Sequence, residues 1–193
     1  GLPSYELTTG TGFTYDPAQA SELMAEAGFP GGKGIPEIAL STTSDYVDLC
    51  EFMQHEWEKL GFNIVIDVLP SSVHRQNVAE SKLLMFRKSW LADYADEENF
   101  LGLFYSGNFC PGGPNYTHFS NPEFDQLFEV AASETNDSLR LAMYSKMDSI
   151  VVAESPVIPL FYDQVSHFVR KEVKGLPTNP INMLDLRKTR ISE

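Results

Sequence analysis

The sequence predicts an α/β fold, a central and mainly parallel sheet flanked by helices. Three observations carry that expectation. From Ile35 to Trp90 the patterns run strand, helix, strand, helix, strand, an alternation that joins parallel neighbours through right-handed crossovers. The strand-like runs are short and apolar, whereas each helical run shows one apolar stripe. With 193 residues, 42% hydrophobic and 12% aromatic, the chain has enough material for a substantial core.

The elements follow in order. In "YDPAQASELMAEAGF", Asp16 is the expected N-cap, Pro17 the first helical residue and Gly28 the stop. Ala20, Leu23, Met24 and Ala27 give that helix one face to bury. "IPEIALSTT" reads as a strand ending in hydroxyl residues. From Ser44 to Leu60, the residues Tyr46, Leu49, Cys50, Met53, Trp57 and Leu60 trace a helical stripe that Gly61 closes. "FNIVIDVLP" alternates Phe62, Ile64, Ile66 and Val68 against Asn63, Val65 and Asp67, the period of a strand. "SSVHRQNVAE" is a short helix capped by Ser71 or Ser72. "KLLMFRKSW" is the next strand, its "LLMF" run reading as buried.

After Trp90 the texture changes. "DEENFLGLF" has helical character and is followed by the loop "SGNFCPGGPNYTHFS". "NPEFDQLFEVAA" repeats the Asn-cap, Pro-first logic, with Phe124, Leu127, Phe128 and Ala131 facing inward. A second helix runs from Asp137 to about Ala153 with Leu139, Met143, Met147 and Ile150 inside. "SPVIPLFY" and "SHFVRKEV" read as two further strands. The turn-rich stretch beyond Lys174 is expected to be weakly held unless another surface receives it.

Charge and composition narrow the function. Twenty-seven acids against 14 Lys and Arg give a net charge of −13, which repels phosphate backbones and anionic lipid, so no nucleic-acid partner is expected. The apolar runs are too short to span a bilayer. No P-loop, G-x-G-x-x-G, G-x-S-x-G or H-E-x-x-H motif occurs. His55, His74, His118 and His167 are scattered without paired ligand spacing, so neither a metal nor any other cofactor is expected. A disulfide between Cys50 and Cys110 does not follow from sequence, and Cys50 is expected as a buried free thiol. "NYT" and "NDS" fit the glycosylation pattern, the second reading better as a helix cap. The opening "GLPSYELTTG" has no methionine, basic or apolar leader region, and reads as a piece of something longer.

The remaining feature is "KSWLADYADEENF". The carboxyl ends of parallel strands border the usual ligand crevice of open α/β folds, and Trp90, Leu91, Ala92, Asp93 and Tyr94 follow such a strand. Asp93 is a short carboxylate able to accept charge-assisted hydrogen bonds from an ammonium group. Trp90, Tyr94 and Tyr116 offer flat surfaces at small entropic cost. The competing reading is an acid and base pair, Asp93 with Asp96, in a carboxylate-dependent hydrolase.

Six segments carry a family resemblance: "YDPAQASELMAEAGFP", "W-x-x-L-G", "SWLADYADEENFLGLF", "NYTHFSNPEFDQLFEVA", "LRLAMYSKMDSIVVAESPVIPLFY" and "VRKEVKGL". In this order they resemble the C-terminal part of oligopeptide- and dipeptide-binding proteins, the family 5 extracellular solute-binding subunits of ABC importers. The resemblance runs from about Phe13 to about Asn179. It implies a type II periplasmic-binding-protein-like lobe, with residues 1–164 as the ligand-binding lobe and 165–193 returning to a first lobe that lies upstream. It implies a peptide ligand, ABC permease subunits as partners, and a location on the periplasmic or outer face of the envelope with a lipid anchor on the first lobe. Asp93 matches the aspartate that meets the peptide α-ammonium, with Trp90, Leu91 and Ala92 before it. Asn115 and Tyr116 match a loop facing the cleft. Two departures stand out. Some dipeptide binders carry an arginine near the start of the helix at Ser44, absent from "STTSDYVDL", and some relatives have a local disulfide where this loop holds Cys110 alone. Relatives that take sugars, opines, haem or metal chelates keep a non-peptide solute as the alternative.

Overall fold

The computed structural model describes residues 13–162, 165–178 and 183–192. The chain forms two compact units. One holds the described residues up to Ser89 together with Ser106–Phe119, and the other holds Trp90–Tyr105 and the described residues from Ser120 onward.

The first unit is built on a parallel sheet of three strands, β1 (Ile38–Thr42), β2 (Ile64–Val68) and β3 (Met85–Phe86), in the order β2-β1-β3. Leu40 on the central strand lies opposite Ile66 on one side and Met85 on the other. Two helices make the crossovers, α2 (Val47–Glu58) from β1 to β2 and α3 (Ser71–Ala79) from β2 to β3. The alternation in sequence is thus the alternation in space. Leu40, Cys50 and Ile64 form the buried centre, with Ile38, Met53, Trp57, Phe62, Ile66 and Met85 packed around it. Cys50 is a free, fully buried thiol, as its position on the α2 stripe predicts. Gly61 ends the α2 segment at φ 95, and a side chain there would place Cβ 2.2 Å from the Gly31 carbonyl oxygen. Two turns therefore touch backbone to backbone, and only glycine fits.

Three expectations for this unit are corrected. The helix α1 (Pro17–Glu26) has its predicted cap, with Asp16 Oδ1 accepting from the Gln19 amide at 2.9 Å. It buries no residue, however, and Leu23 and Ala27 are exposed. Its packing is against the Pro30–Gly32 turn, which is too small to cover a helical face. Neither Ser71 nor Ser72 caps α3, because Pro70 occupies the N-cap position and offers no side-chain acceptor. The "LLMF" run is shorter and wetter than predicted. Only Met85 and Phe86 pair, both half-buried, and Leu84 is fully exposed. As an edge strand, β3 meets β1 on one side only.

The second unit is helical, with α4 (Glu98–Leu101), α5 (Pro122–Ala131) and α6 (Asp137–Glu154). Asn121 and Asn136 cap α5 and α6 as predicted, each side chain accepting from two first-turn amides. Phe124, Phe128 and Ala131 are buried, with Tyr105 stacked on Phe128 at 4.8 Å. On α6 the buried stripe is Tyr144, Met147 and Val151. Leu139 is exposed, because its turn is the solvated, capped end of the helix.

The two late strands are also corrected. Residues 155–162 and 165–172 contain no strand, and Ile158, Phe161 and Phe168 are exposed. A strand needs an edge to pair with, and among the described residues none pairs with this stretch. Only Val173–Lys174 (β4) pairs, antiparallel to Arg190–Ile191 (β5), so the tail turns back on itself.

Candidate functional site

The predicted site residues fall into two groups, one in each unit. In the helical unit the segment after Ser89 is organised by one buried side chain, Asn99 of α4. Its Oδ1 accepts from the Trp90 indole Nε1 at 2.8 Å and from the Asp93 amide at 3.4 Å. Trp90 is half-buried, Ala92 buried, and Leu91 and Tyr94 exposed. The Asp93 side chain is exposed and makes no hydrogen bond or ion pair among the described residues. Its backbone is thus fixed while its carboxylate is left available. Asn99 was missed by sequence reasoning, since a polar residue inside "DEENFLGLF" gives no signal of the tryptophan it will meet.

The neighbouring acids have other roles. Asp96 Oδ1 accepts from the Glu98 amide at 3.0 Å, and Oδ2 pairs with Arg140 Nη1 at 2.8 Å. This pairing raises the Arg140 guanidinium above its ordinary value. The Tyr94 hydroxyl donates to Glu98, which raises its pKa. Burial, then the nearby Asp96 charge, push the Tyr144 hydroxyl up to about 12. Tyr94, Asp96, Glu98, Arg140 and Tyr144, with Ala131, Ala132 and Glu134, line a cavity of about 310 Å³. Asp93 does not line it, so Asp93 and Asp96 do not converge as an acid and base pair would require.

In the sheet-based unit, Asn115 is fully buried. Its amide nitrogen donates to the Phe119 carbonyl at 2.9 Å, while Oδ1 accepts from the Phe119 amide at 3.2 Å and Thr117 Oγ1 at 3.1 Å. Its side chain closes the 115–119 loop, which leaves no surface for an attached glycan. Tyr116 is half-buried, with Lys88 Nζ 4.3 Å from its ring centroid.

The carboxyl ends of β1 and β3 also gather cations that sequence reasoning passed over. The Arg87 guanidinium carbon lies 3.1 Å from the centroid of Tyr46, which stands in the turn between β1 and α2. The Arg87 amide donates to Ser41 O at 2.9 Å, while its Nε is buried without a hydrogen-bond partner among the described residues. Burial, then the charge of Arg75, push the Lys88 ammonium below its ordinary pKa. Among the described residues no carboxylate pairs with Arg75, Arg87 or Lys88. An arginine therefore stands near the start of the helix at Ser44 after all, delivered from β3 rather than from the helix itself. Among the described residues no group of three or more His, Cys, Asp or Glu is arranged to hold a metal, and no helix is long and apolar enough to cross a membrane.

Comparison with known proteins places this parallel sheet and its crossover helices in a family. Residues 1–109 match the family model "Bacterial extracellular solute-binding proteins, family 5 Middle". The chain belongs to this family. It is 30% identical over 79% of its length to Dipeptide-binding protein DppE of Bacillus subtilis (strain 168). It is 29% identical over 87% of its length to Heme-binding protein A of Haemophilus influenzae. It spans 28% and 31% of those two proteins. In fold it resembles the periplasmic binding protein DppA from Helicobacter pylori, solved in complex with peptide STSA. The TM-score is 0.77 at 24% identity, covering 94% of this chain and 35% of that one. The fold is thus the type II periplasmic-binding-protein-like α/β architecture that the family resemblance implies.

Proposed function

We infer that the chain is the C-terminal lobe of a peptide-binding protein that delivers extracellular peptides to an ABC permease. Residues 1–164 form the ligand-binding lobe, and residues 165–193 return to the first lobe of the same protein. The exposed apolar side chains of Ile158, Leu160, Phe161 and Phe168 support that reading, because a surface of this kind normally meets a partner. The parent resides at the periplasmic or outer face of the envelope, held by a lipid anchor on its first lobe. The chain binds and does not catalyse.

The observation that carries this reading is Asp93, a carboxylate without a partner among the described residues on a backbone pinned through Asn99 to Trp90. It receives the peptide α-ammonium, while Leu91, Ala92 and Tyr94 line the peptide beside it. The chain has a relative named for haem binding, which favours a non-peptide solute as the second reading.

Thermal-shift screening of the parent-length protein separates the two. A pool of short peptides is expected to raise Tm, and haem, sugar and metal-chelate panels are not. Stabilisation by haem or sugar with none by peptides overturns the assignment.

A further inference from the structure

Arg87 is an exception to the way the sheet-based unit treats its polar groups. Among the described residues its Nε is the buried side-chain nitrogen left without a hydrogen-bond partner, a condition that folded chains keep only for a reason. Its terminal nitrogens make no hydrogen bond among the described residues, and no carboxylate there lies within ion-pair distance of it. Lys88 is likewise unpaired, and so is Arg75, whose charge acts on it. A chain of net charge −13 thus leaves three cations without counter-ions at one sheet edge.

The fold explains where the Arg87 guanidinium goes. Met85 packs with Leu40 against the buried centre, and Arg87, two residues further on, shares that face of the strand. Its side chain is therefore carried past the core to the start of α2, where its terminal carbon lies 3.1 Å from the Tyr46 ring centroid. The ring covers one face of the guanidinium and leaves the N–H groups in its plane for an acceptor. The same corner holds a second source of positive charge. Neither Thr43 nor Tyr46, at the cap positions of the Ser44–Tyr46 turn and of α2, caps with its side chain, so first-turn amides of a 12-residue helix add their partial charge. Asp45 and Asp48 in these turns are exposed and do not pair with Arg87. Topology agrees with the chemistry. From β1 the chain leaves through α2 to β2, away from β3, and ligands of open α/β sheets sit at the carboxyl ends where connections diverge in this way.

We propose that this corner is a binding site for one carboxylate group of a small ligand, gripped by the terminal N–H groups of Arg87 on its Tyr46 platform. A carboxylate presents two coplanar oxygens that match the guanidinium fork. A phosphate dianion fits less well, because Asp45 and Asp48 limit the surplus positive charge. The buried Nε takes no part in the grip and holds the fork in place. The site lies within one unit and rests on neither Asp93 nor the peptide reading, since a carboxylate on a non-peptide solute has the same chemistry.

Titration of the chain with acetate, followed by NMR of the Arg87 side-chain N–H and the Tyr46 and Val47 amides, tests it. A saturable shift is expected with acetate, and none with acetamide or with chloride at equal ionic strength. Arg87→Gln is expected to weaken acetate binding at least roughly tenfold. Arg87→Lys, which keeps the charge and loses the fork, is expected to recover only part of it. Lys33→Gln, which removes an exposed lysine beyond α1, is expected to change nothing. N-acetylalanine and the α-amide of N-acetylglutamic acid then separate a chain-terminal from a side-chain carboxylate, and binding of either supports the site. If Arg87→Gln fails to fold, the contrast of acetate with acetamide in the unaltered chain decides. Absence of a saturable acetate shift, an equal shift with chloride, binding of inorganic phosphate in place of acetate, or unchanged affinity in Arg87→Gln or Arg87→Lys overturns the proposal.

Discussion

A single oxygen, Asn99 Oδ1, fixes both Trp90 and the backbone of Asp93. Replacing Asn99 with alanine leaves the indole N–H of a half-buried tryptophan without its acceptor. Loss of such a partner destabilises by about 1–3 kcal/mol, and Asn99→Asp, which keeps an acceptor, is expected to recover most of it. Urea unfolding of the two variants checks this, and equal loss in both would show that the Oδ1 acceptor is not what Asn99 contributes. At this scale the sequence was partly legible. Asp93 stood out because a carboxylate follows a tryptophan at a strand end, whereas Asn99 and Arg87 did not. Their roles depend on which side chains tertiary structure brings to them, and no local period encodes that. Asn115 illustrates the converse, because the residue singled out in its loop turns inward and closes the loop on itself.

Elements whose signals are local were read well. The Asp16, Asn121 and Asn136 caps, the α2 stripe and the parallel order of β1 and β2 follow from capping chemistry and periodicity. Gly61 belongs to this class, and it has the sharper test. With φ at 95 and Cβ 2.2 Å from the Gly31 carbonyl oxygen, alanine there must strain the backbone and push two turns apart. Gly61→Ala is expected to reduce stability by about 1–2 kcal/mol or more, measured by thermal or urea denaturation, and a neutral result would mean that the turns separate freely. Elements that need a partner were read less well. The apolar runs at 155–162 and 166–173 have strand composition, yet composition supplies no edge to pair with. The α1 face failed for the same reason, since an apolar stripe says that a helix wants cover and not what covers it.

For the molecule as a whole, alkaline pH is the informative perturbation. The Tyr144 hydroxyl is held up to about 12 against an ordinary value of 10.0. Its proton is bound more tightly in the folded chain than in the unfolded one, so folded and unfolded proton counts differ between those values. The associated stability is complete below about pH 10 and is lost as pH rises through about 12. Tyr144→Phe removes this titration, and its stability is expected to fall less steeply than that of the unaltered chain between pH 10 and 12. Parallel declines in denaturation series across that range would place the titrating group elsewhere. Net charge acts at the same scale, as a matter of solubility and long-range field rather than of fold.

The central claim is that Asp93 anchors a peptide through its ammonium end. Calorimetry on the parent-length protein, comparing a short peptide with its N-acetylated form for both the unaltered protein and Asp93→Asn, tests it most directly. Breaking a buried charge pair removes about 3–5 kcal/mol, two to three or more powers of ten in affinity. The account predicts that loss on acetylation in the unaltered protein, an equal loss in Asp93→Asn with the free peptide, and little further change when both are combined. Unchanged affinity in Asp93→Asn, or an acetylation effect that persists undiminished in it, would contradict the claim.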